Sequence, residues 1–232
     1  MQKVKKYNDF DEVCAFLGRV GWLAECPRSS RDLIFGSARL VRFAEDEPVY
    51  RMGDRSDGVY GFVDGGLQIM LPRDNQEIVP IHLSEPGFWV GESAFFSDST
   101  RLVSVVATRP TVGLHVPRAS VIELLESHPD IIQDFYALSH RNLATALKLL
   151  ANLTIANSTS RIAQRLVYYD EIAGKCGAPI RLTQEDLANL VAVSLPTVER
   201  VLRGLGDAGA VETGRGQIRV LDRRKLISLS YG

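Results

Sequence analysis

The feature that most constrains this fold is a helical stretch that begins near Pro129 and continues to about Ala156 without a helix-breaking residue. Proline suits the start because its missing N–H is not needed in a first turn. About 27 residues at the usual rise give a rod of roughly 40 Å. So long a helix with apolar residues around much of its circumference needs cover on more than one side. These residues are Ile131, Phe135, Leu138, Leu143, Ala146, Leu147, Leu149, Leu150, Ala151 and Leu153.

Two arrangements would cover this helix. It can pack as a central helix against its own domain, or it can form the coiled-coil seam of a homodimer that also packs on a neighbouring domain. The width of the apolar surface favours the dimer seam. The predicted dimerisation residues are Phe135, Leu138, Leu143, Leu147, Leu150 and Leu153.

The residues before this helix change from a helical to a β pattern. Residues 9–26 have apolar residues at helical spacing, including Val13, Leu17 and Val20. From about Leu33 to Pro117, apolar runs of roughly five to seven residues alternate with turn residues, which predicts antiparallel strands in a barrel or sandwich. A short helix up to Ser127 follows, and Asn157 opens a polar break after the long helix.

The segment 181–222, RLTQEDLANLVAVSLPTVERVLRGLGDAGAVETGRGQIRVLD, predicts a winged helix-turn-helix. Thr183 and Asp186 have capping-box spacing, and Ser194 begins a second helix after a very short connection. That helix has an inward apolar face and outward polar residues, as in modules whose second helix enters the DNA major groove. Two short strands around Gly214–Gly216 would form the wing. The predicted DNA-binding residues are Thr183, Ser194, Leu195, Pro196, Thr197, Glu199, Arg200 and Arg203.

Charge and cysteine content narrow the class of protein. From Ser158 onward there are 11 Lys and Arg against 8 Asp and Glu, whereas the whole chain has 27 against 28. A basic C-terminal part suits a polyanionic partner. Three scattered cysteines fit reduced thiols in the cytosol, and no metal site is predicted. No run of 18 apolar residues occurs, so we expect a cytoplasmic protein without membrane association. An enzyme is the least supported class because no catalytic constellation emerges.

These motifs, in this order, resemble the Crp/Fnr family of bacterial transcription regulators. The resemblance covers nearly the whole chain: PVYRMGDRSDGVYGFVDGGLQIML and GFWVGESAFF in the N-terminal part, the long helix, TSRIAQRL at its end, and the winged helix-turn-helix. It implies an α+β fold with an N-terminal antiparallel β-roll of the double-stranded jelly-roll type. The expected parts are a sensing β-roll at 1–128, a dimerisation helix at 129–157 and a DNA-binding domain at 158–232. The expected partners are a second copy of the chain and a pseudo-palindromic double-stranded DNA operator, with RNA polymerase as a further candidate.

The resemblance also implies an effector pocket in the β-roll. In members that bind cyclic AMP, a Gly-Glu pair opens a short helix facing the phosphate, the glutamate takes the ribose hydroxyl, and an arginine on the next strand pairs with the phosphate. Gly91, Glu92 and Arg101 match those roles. Helix N-termini and arginine forks do favour phosphate. The predicted pocket residues are Gly91, Glu92, Ser93, Arg101, Leu102, Asn142, Ala146 and Leu147.

Several positions depart from the family pattern. Leu102 stands where a small hydroxyl residue should follow the arginine, and an ungapped alignment places Ala146 and Leu147 at the adenine-binding hydroxyls. Each unpaired purine group would cost roughly 1–3 kcal/mol. Leu195 and Pro196 replace the Arg and Glu of the cyclic-AMP type, so the operator should differ. No cofactor is therefore assigned, and the effector can be a cyclic nucleotide, another small molecule, none, or a haem or metal signal. Glu92 and Arg101 can also be a plain buried ion pair.

Two function hypotheses follow. The first is a homodimeric, sequence-specific transcription regulator whose β-roll senses a signal and repositions the helix-turn-helix. The alternative is a cyclic-nucleotide-binding module that acts on a protein partner instead of DNA. Iron–sulfur sensing lacks the necessary cysteine cluster around Cys14 and Cys26. For haem, only His82 lies on a predicted strand near the pocket.

Overall fold

A computed structural model describes residues 7, 9–64, 66–73, 77–173 and 178–230. The chain divides into two compact units, one of residues 1–78 and 83–144, the other of residues 79–82 and 145–232. The three-part division at 128/129 and 157/158 stays a prediction. Cys176 lies outside the described residues.

The first unit begins with three short helices, α1 (Phe10–Leu17), α2 (Trp22–Glu25) and α3 (Arg28–Gly36). The segment 9–26 therefore contains two helices, and Gly21 lies between them with a left-handed φ of 81° that interrupts helical geometry. Only glycine fits at this position, because a Cβ would lie 2.0 Å from the Gly87 carbonyl oxygen. The expectation that strands begin near Leu33 is wrong. The chain stays helical to Gly36, which buries Ile34 completely, and the first strand starts at Arg39.

Eight strands form two four-stranded antiparallel sheets. The orders are β1-β8-β3-β6 and β2-β7-β4-β5, and residue pairs such as Tyr60–His115 set the register. A short helix, α4 (Glu92–Phe96), lies between β6 and β7. This arrangement confirms the predicted α+β fold with an antiparallel N-terminal β-roll. The strands are β1 (Arg39–Phe43), β2 (Pro48–Tyr50), β3 (Gly58–Phe62), β4 (Leu67–Pro72), β5 (Ile78–Leu83), β6 (Trp89–Val90), β7 (Ser104–Ala107) and β8 (Thr111–Pro117).

Helix α5 (Arg118–Ser127) precedes the long helix α6 (Ile131–Leu153), which has 23 residues. The assignment of Phe135 and Leu138 to a dimer seam is corrected. Both side chains are 1% exposed and belong to the core cluster that contains Trp22 and Trp89. The first turns of α6 bury them in their own chain, so a second copy cannot reach them. The four other predicted dimerisation residues are exposed, at 59% for Leu143, 55% for Leu147, 59% for Leu150 and 39% for Leu153.

The second unit contains the predicted helices and wing: α7 (Ser158–Ile172), α8 (Gln184–Val191), α9 (Leu195–Asp207), β9 (Val211–Gly214), β10 (Gln217–Val220) and α10 (Arg223–Ser230). Asn157 caps α7, its side chain accepting from the backbone N–H groups of Thr159 and Ser160. A buried ion pair joins Asp170 on α7 to Arg223 on α10, with Arg223 Nε donating to Asp170 Oδ2 at 2.6 Å. Because a buried carboxylate needs such a partner, the pair fixes α10 on α7.

Candidate effector pocket and DNA interface

Gly91 shapes the backbone of the predicted pocket. It adopts φ 106° between β6 and α4, a left-handed conformation that side-chain-bearing residues rarely take. A Cβ at this position would lie 2.5 Å from Arg101 Nη1 and 2.9 Å from the Gly58 carbonyl oxygen. Glycine is thus required for the arginine to approach the chain so closely.

Arg101, a residue of the predicted pocket, is only 2% exposed. Its Nη1 donates to the Gly91 carbonyl at 2.6 Å, and its Nη2 donates to the Gly58 carbonyl at 2.8 Å and to Asp57 Oδ1 at 2.6 Å. The guanidinium carbon lies 4.2 Å from the centre of the Tyr50 ring, a cation–π distance. Nε is buried without a hydrogen-bond partner among the described residues. Groups of the chain itself therefore accept most of the hydrogen bonds that the Arg101 guanidinium can donate.

Asp57 is the ion-pair partner of Arg101, whereas the ion-pair alternative in the sequence analysis joins Arg101 to Glu92. Its other carboxylate oxygen accepts from the Tyr60 hydroxyl at 2.6 Å. Burial by itself would raise the pKa of Asp57, but the hydrogen bonds from Tyr60 and Arg101 and the arginine charge outweigh it and lower the pKa. A carboxylate of the chain thus binds the guanidinium that the sequence analysis predicts to bind an anionic effector.

Glu92 is the first residue of α4 and is 3% exposed. Asn142 of α6 donates its Nδ2 to Glu92 Oε1 and to the Trp89 carbonyl, both at 3.1 Å. Burial raises the pKa of Glu92, and the hydrogen bonds from Asn142 and Ser139 oppose that rise in part. Glu92 therefore ties α4 to α6 within the first unit.

The structure brings Gly91 into contact with Arg101, and Glu92 into contact with Asn142; their role in an effector pocket stays a prediction. Ser93 is exposed and Leu102 is 64% exposed, so neither is enclosed in the pocket. Ala146 and Leu147 are exposed residues of α6 that belong to the second unit.

Asp57 is the site residue that sequence reasoning missed. It stands in an Asp-Gly pair, and in a β-rich segment such a pair usually marks a turn. The one sequence signal for Asp57 was its position directly before a strand. Its pairing with Arg101, 44 positions away, depends on how β3 and β7 are placed in the two sheets.

The helix-turn-helix geometry follows the predicted capping. The Thr183 hydroxyl accepts from the Asp186 backbone N–H at 3.0 Å, and the Asp186 carboxylate accepts from the Thr183 N–H at 2.9 Å, which completes the capping box. Ala192 ends α8 in a left-handed conformation, and Ser194 occupies the N-cap position of α9, with Pro196 in the first turn. The Ser194 hydroxyl bonds to Thr197 Oγ1 at 2.9 Å and makes no side-chain bond to a helix N–H.

Helix α9 separates its two faces clearly. Val198, Val201, Leu202 and Leu205 are at most 4% exposed and form its inner face. Glu199, Arg200 and Arg203 are exposed, and neither arginine forms an ion pair with any described residue. Leu195 is 38% exposed at the N-terminus of the helix. This face thus presents two uncompensated cations beside one apolar side chain.

Arg161 at the start of α7 donates hydrogen bonds to the C-terminal end of α8. Its Nη1 donates to the Val191 carbonyl at 2.9 Å and the Ala192 carbonyl at 3.3 Å, and its Nε donates to the Ile155 carbonyl at 2.8 Å. A cation at these carbonyls is favourable because a helix C-terminus is the negative end of the dipole. Arg161 therefore holds the end of α8 against the connection that follows α6.

In the described part of the chain, no three His, Cys, Asp or Glu side chains are grouped as a metal ion would require. Among the same residues, no helix combines the length and apolar character needed to span a membrane.

Comparison with known proteins identifies both parts of the chain. Residues 40–128 match the model of the cyclic nucleotide-binding domain, and residues 160–229 match that of the Crp-like helix-turn-helix domain. The chain is 23% identical over 174 residues to the cAMP-activated global transcriptional regulator CRP of Pasteurella multocida, covering 72% of this chain and 83% of the relative.

Two solved structures share the fold. FixK2 of Bradyrhizobium japonicum matches with a TM-score of 0.72 and 20% identity over 83% of this chain and 96% of that one. The c-di-GMP responsive global regulator CLP of Xanthomonas campestris matches with a TM-score of 0.68 and 19% identity, over 84% of this chain and 99% of that one.

Proposed function

Because this chain belongs to the Crp/Fnr family of transcription regulators, we propose that it acts as a homodimer on a pseudo-palindromic DNA operator, with a signal-sensing N-terminal domain. The observation that carries the proposal is the exposed face of α9, where Arg200 and Arg203 lack ion-pair partners among the described residues. Unpaired arginines on the second helix of a helix-turn-helix are suited to guanine edges and phosphates. A chromosomal target implies the cytoplasm as the place of action.

The exposed side of α6 supports the homodimer. Tyr136, Leu143 and Leu150 recur every seven residues and are 74%, 59% and 59% exposed. Leu147 and Leu153 extend the same stripe toward the end of the helix. Heptad spacing of exposed apolar side chains is the pattern of a left-handed coiled coil. Two-fold symmetry of such a dimer would match the symmetry of a palindromic operator.

In this proposal, Ser194 at the N-cap and four side chains of α9 make the contacts to the operator. Arg200 and Arg203 contact base edges or phosphates, and Ser194 and Thr197 offer hydroxyls to phosphate oxygens. Leu195 contributes an apolar contact, which in a major groove selects the methyl group of thymine. Arg215, exposed at the tip of the wing, adds a contact to the DNA phosphate backbone. The half-site should accordingly contain a guanine and a thymine.

For the effector, the Asp57–Arg101 pair sets a condition. An anionic ligand reaches the guanidinium only by displacing a carboxylate that already binds it at 2.6 Å. The relatives named above respond to cAMP in one case and c-di-GMP in another, so this fold serves more than one ligand. We therefore leave the effector open and propose that its binding shifts the dimer between two arrangements of the recognition helices. RNA polymerase is a further proposed partner.

The DNA-binding proposal is tested by selecting an operator from random duplex DNA with the full-length protein. Arg200→Ala should weaken binding to that operator roughly 10- to 100-fold per half-site, because a bidentate base contact is lost. Arg224→Ala, which removes an exposed arginine of α10, is the matched control and should have a small effect. Equal binding by wild type and Arg200→Ala would refute α9 as the reading helix.

The effector is tested separately, by calorimetry with cyclic AMP. Saturable heat at micromolar nucleotide that Arg101→Lys abolishes would support a cyclic-nucleotide regulator, because lysine keeps the charge and loses the planar fork. Absence of heat at millimolar nucleotide would remove cyclic AMP and leave the DNA-binding proposal standing. The alternative of a module that acts on a protein partner is less well supported because a winged helix-turn-helix occupies the C-terminal part.

A further inference from the structure

A cleft in the second unit lies at the junction between α6 and α7. It has a volume of about 290 Å³ and is lined by Lys148, Leu149, Ala151, Asn152, Ile155, Gln164, Arg165 and Tyr168. The residues up to Asn152 belong to the last turns of α6, Ile155 lies in the connection, and the last three belong to α7. The cleft therefore spans the polar break between the two helices.

Arg165 is the unusual member of this lining, because it is only 1% exposed and has no counter-charge among the described residues. Its Nε donates to Asn152 Oδ1 at 3.1 Å and its Nη2 reaches the Leu149 carbonyl at 3.5 Å. Its Nη1 is buried and has no hydrogen-bond partner in the described part of the chain. Within the described residues no carboxylate forms a salt bridge with it. A guanidinium stays protonated at any physiological pH, so the charge cannot be relieved by titration.

Lys148 adds a second cation at the same cleft. It is exposed and, within the described ranges, it forms no ion pair. Leu149, Ala151 and Ile155 supply an apolar wall beside the two cations. A buried unpaired charge is strongly destabilising, and an anion that binds it recovers much of that cost. Small-molecule sites combine an apolar lining with a few polar groups, and this volume is at the lower end of their range.

We infer that this cleft is a binding site for a small molecule carrying a phosphate or carboxylate group, held by Lys148 and Arg165 with its apolar part against Leu149, Ala151 and Ile155. Binding to Arg165 requires a small opening of the cleft, since Nη1 is enclosed. The site is separate from the Arg101 pocket, which belongs to the first unit.

The position of the cleft gives the ligand a regulatory role. A bound anion would join the end of α6 to α7, and α7 packs on α8, α9 and α10. Fixing α7 relative to the end of α6 would bias the orientation of the recognition helix. This coupling rests on the proposed function, whereas anion binding itself does not.

Anion binding is measured without DNA, on the full-length protein in chloride buffer. Thermal unfolding is followed by circular dichroism during titrations with inorganic phosphate and, in a second arm, with citrate. A saturable rise in Tm is expected in at least one arm, because a ligand that binds only the folded state stabilises it. Lys148→Ala should weaken the apparent affinity about tenfold, the usual effect of losing one charge-assisted hydrogen bond. Lys225→Ala, which removes an exposed lysine of α10 outside the cleft, is the matched control and should leave that affinity unchanged.

Three outcomes would overturn the site. The first is no saturable effect of either anion up to roughly 20 mM, a concentration that detects even weak binding. The second is equal anion affinity in wild type and Lys148→Ala, which would place the anion elsewhere. The third is an Arg165→Met variant that folds and binds the anion like wild type; if it does not fold, Lys148→Ala decides.

The coupling is tested by repeating the operator titration with the anion that binds. Operator affinity should change in wild type, and in Lys148→Ala the same change should require about ten times more anion. Anion binding without any change in operator affinity would overturn the coupling and keep the site. Failure of the wild type to bind any operator would instead refute the proposed function.

Discussion

Replacing Asp57 by Asn should lower the free energy of unfolding of the first unit by about 2 kcal/mol. Two unit charges about 4 Å apart interact by roughly 4 kcal/mol at the effective dielectric of a partly buried pair. The Arg101 side chain is 1% exposed, but that of Asp57 is 54% exposed, so solvent screens about half of this interaction. Asparagine keeps the shape and can still accept a hydrogen bond from Arg101, so the loss is mainly that of charge.

The measurement is urea unfolding followed by tryptophan fluorescence. The chain has two tryptophans, Trp22 and Trp89, and both lie in the first unit. Their rings pack edge to face with centroids 5.3 Å apart, so the fluorescence reports the unfolding of that unit. Asp32→Asn is the matched control, since the Arg28–Asp32 side chains are 87% and 67% exposed. An exposed pair should contribute less than about 0.5 kcal/mol. An effect of Asp57→Asn no larger than that of Asp32→Asn would refute the reasoning.

The pH dependence gives a second check on Asp57. Its pKa in the folded chain lies below the usual value, so the stabilisation is complete above the unfolded-state pKa of about 4 and is lost as pH falls through the folded-state pKa. The stability difference between wild type and Asp57→Asn should thus be constant near neutral pH and shrink in acid. A difference that stays constant from neutral to strongly acidic pH would show that the charge is not its cause.

Three further predictions concern other parts of the molecule. Burial raises the pKa of Glu92, so the wild type should lose stability as pH rises above the usual glutamate pKa and through the raised one, and Glu92→Gln should gain stability relative to it over that rise in urea unfolding. Leu150→Glu should yield folded monomers in sedimentation experiments, whereas Leu221→Glu, at a similarly exposed leucine outside α6, should stay dimeric. Arg161→Ala should weaken operator binding about tenfold with unchanged helix content, because the end of α8 loses a charge-assisted anchor; unchanged operator affinity would contradict its positioning role.

The sequence alone determined those features that arise from interactions between residues close together in the chain. The capping box of Thr183 and Asp186 joins residues three positions apart. The inner face of α9, with Val198 and Leu202, follows from helical periodicity. The wing follows from a glycine-containing turn between two short strands. Such local interactions are encoded by spacing, so they could be predicted without knowledge of the fold.

The tertiary structure decided the features that join distant positions. An apolar stripe on α6 does not reveal that Phe135 and Leu138 face the core while Leu143 and Leu150 stay exposed. The sequence pointed only to Glu92 as a possible ion-pair partner of Arg101, whereas the sheet arrangement brings Asp57 to 2.6 Å from it. The buried, uncompensated charge of Arg165 was likewise invisible, since any exposed helix can carry an arginine. Burial and charge pairing depend on the folded surroundings. For that reason the Gly-Glu motif and Arg101 could be found in the sequence, whereas the burial of Arg101 and its pairing with Asp57 could not.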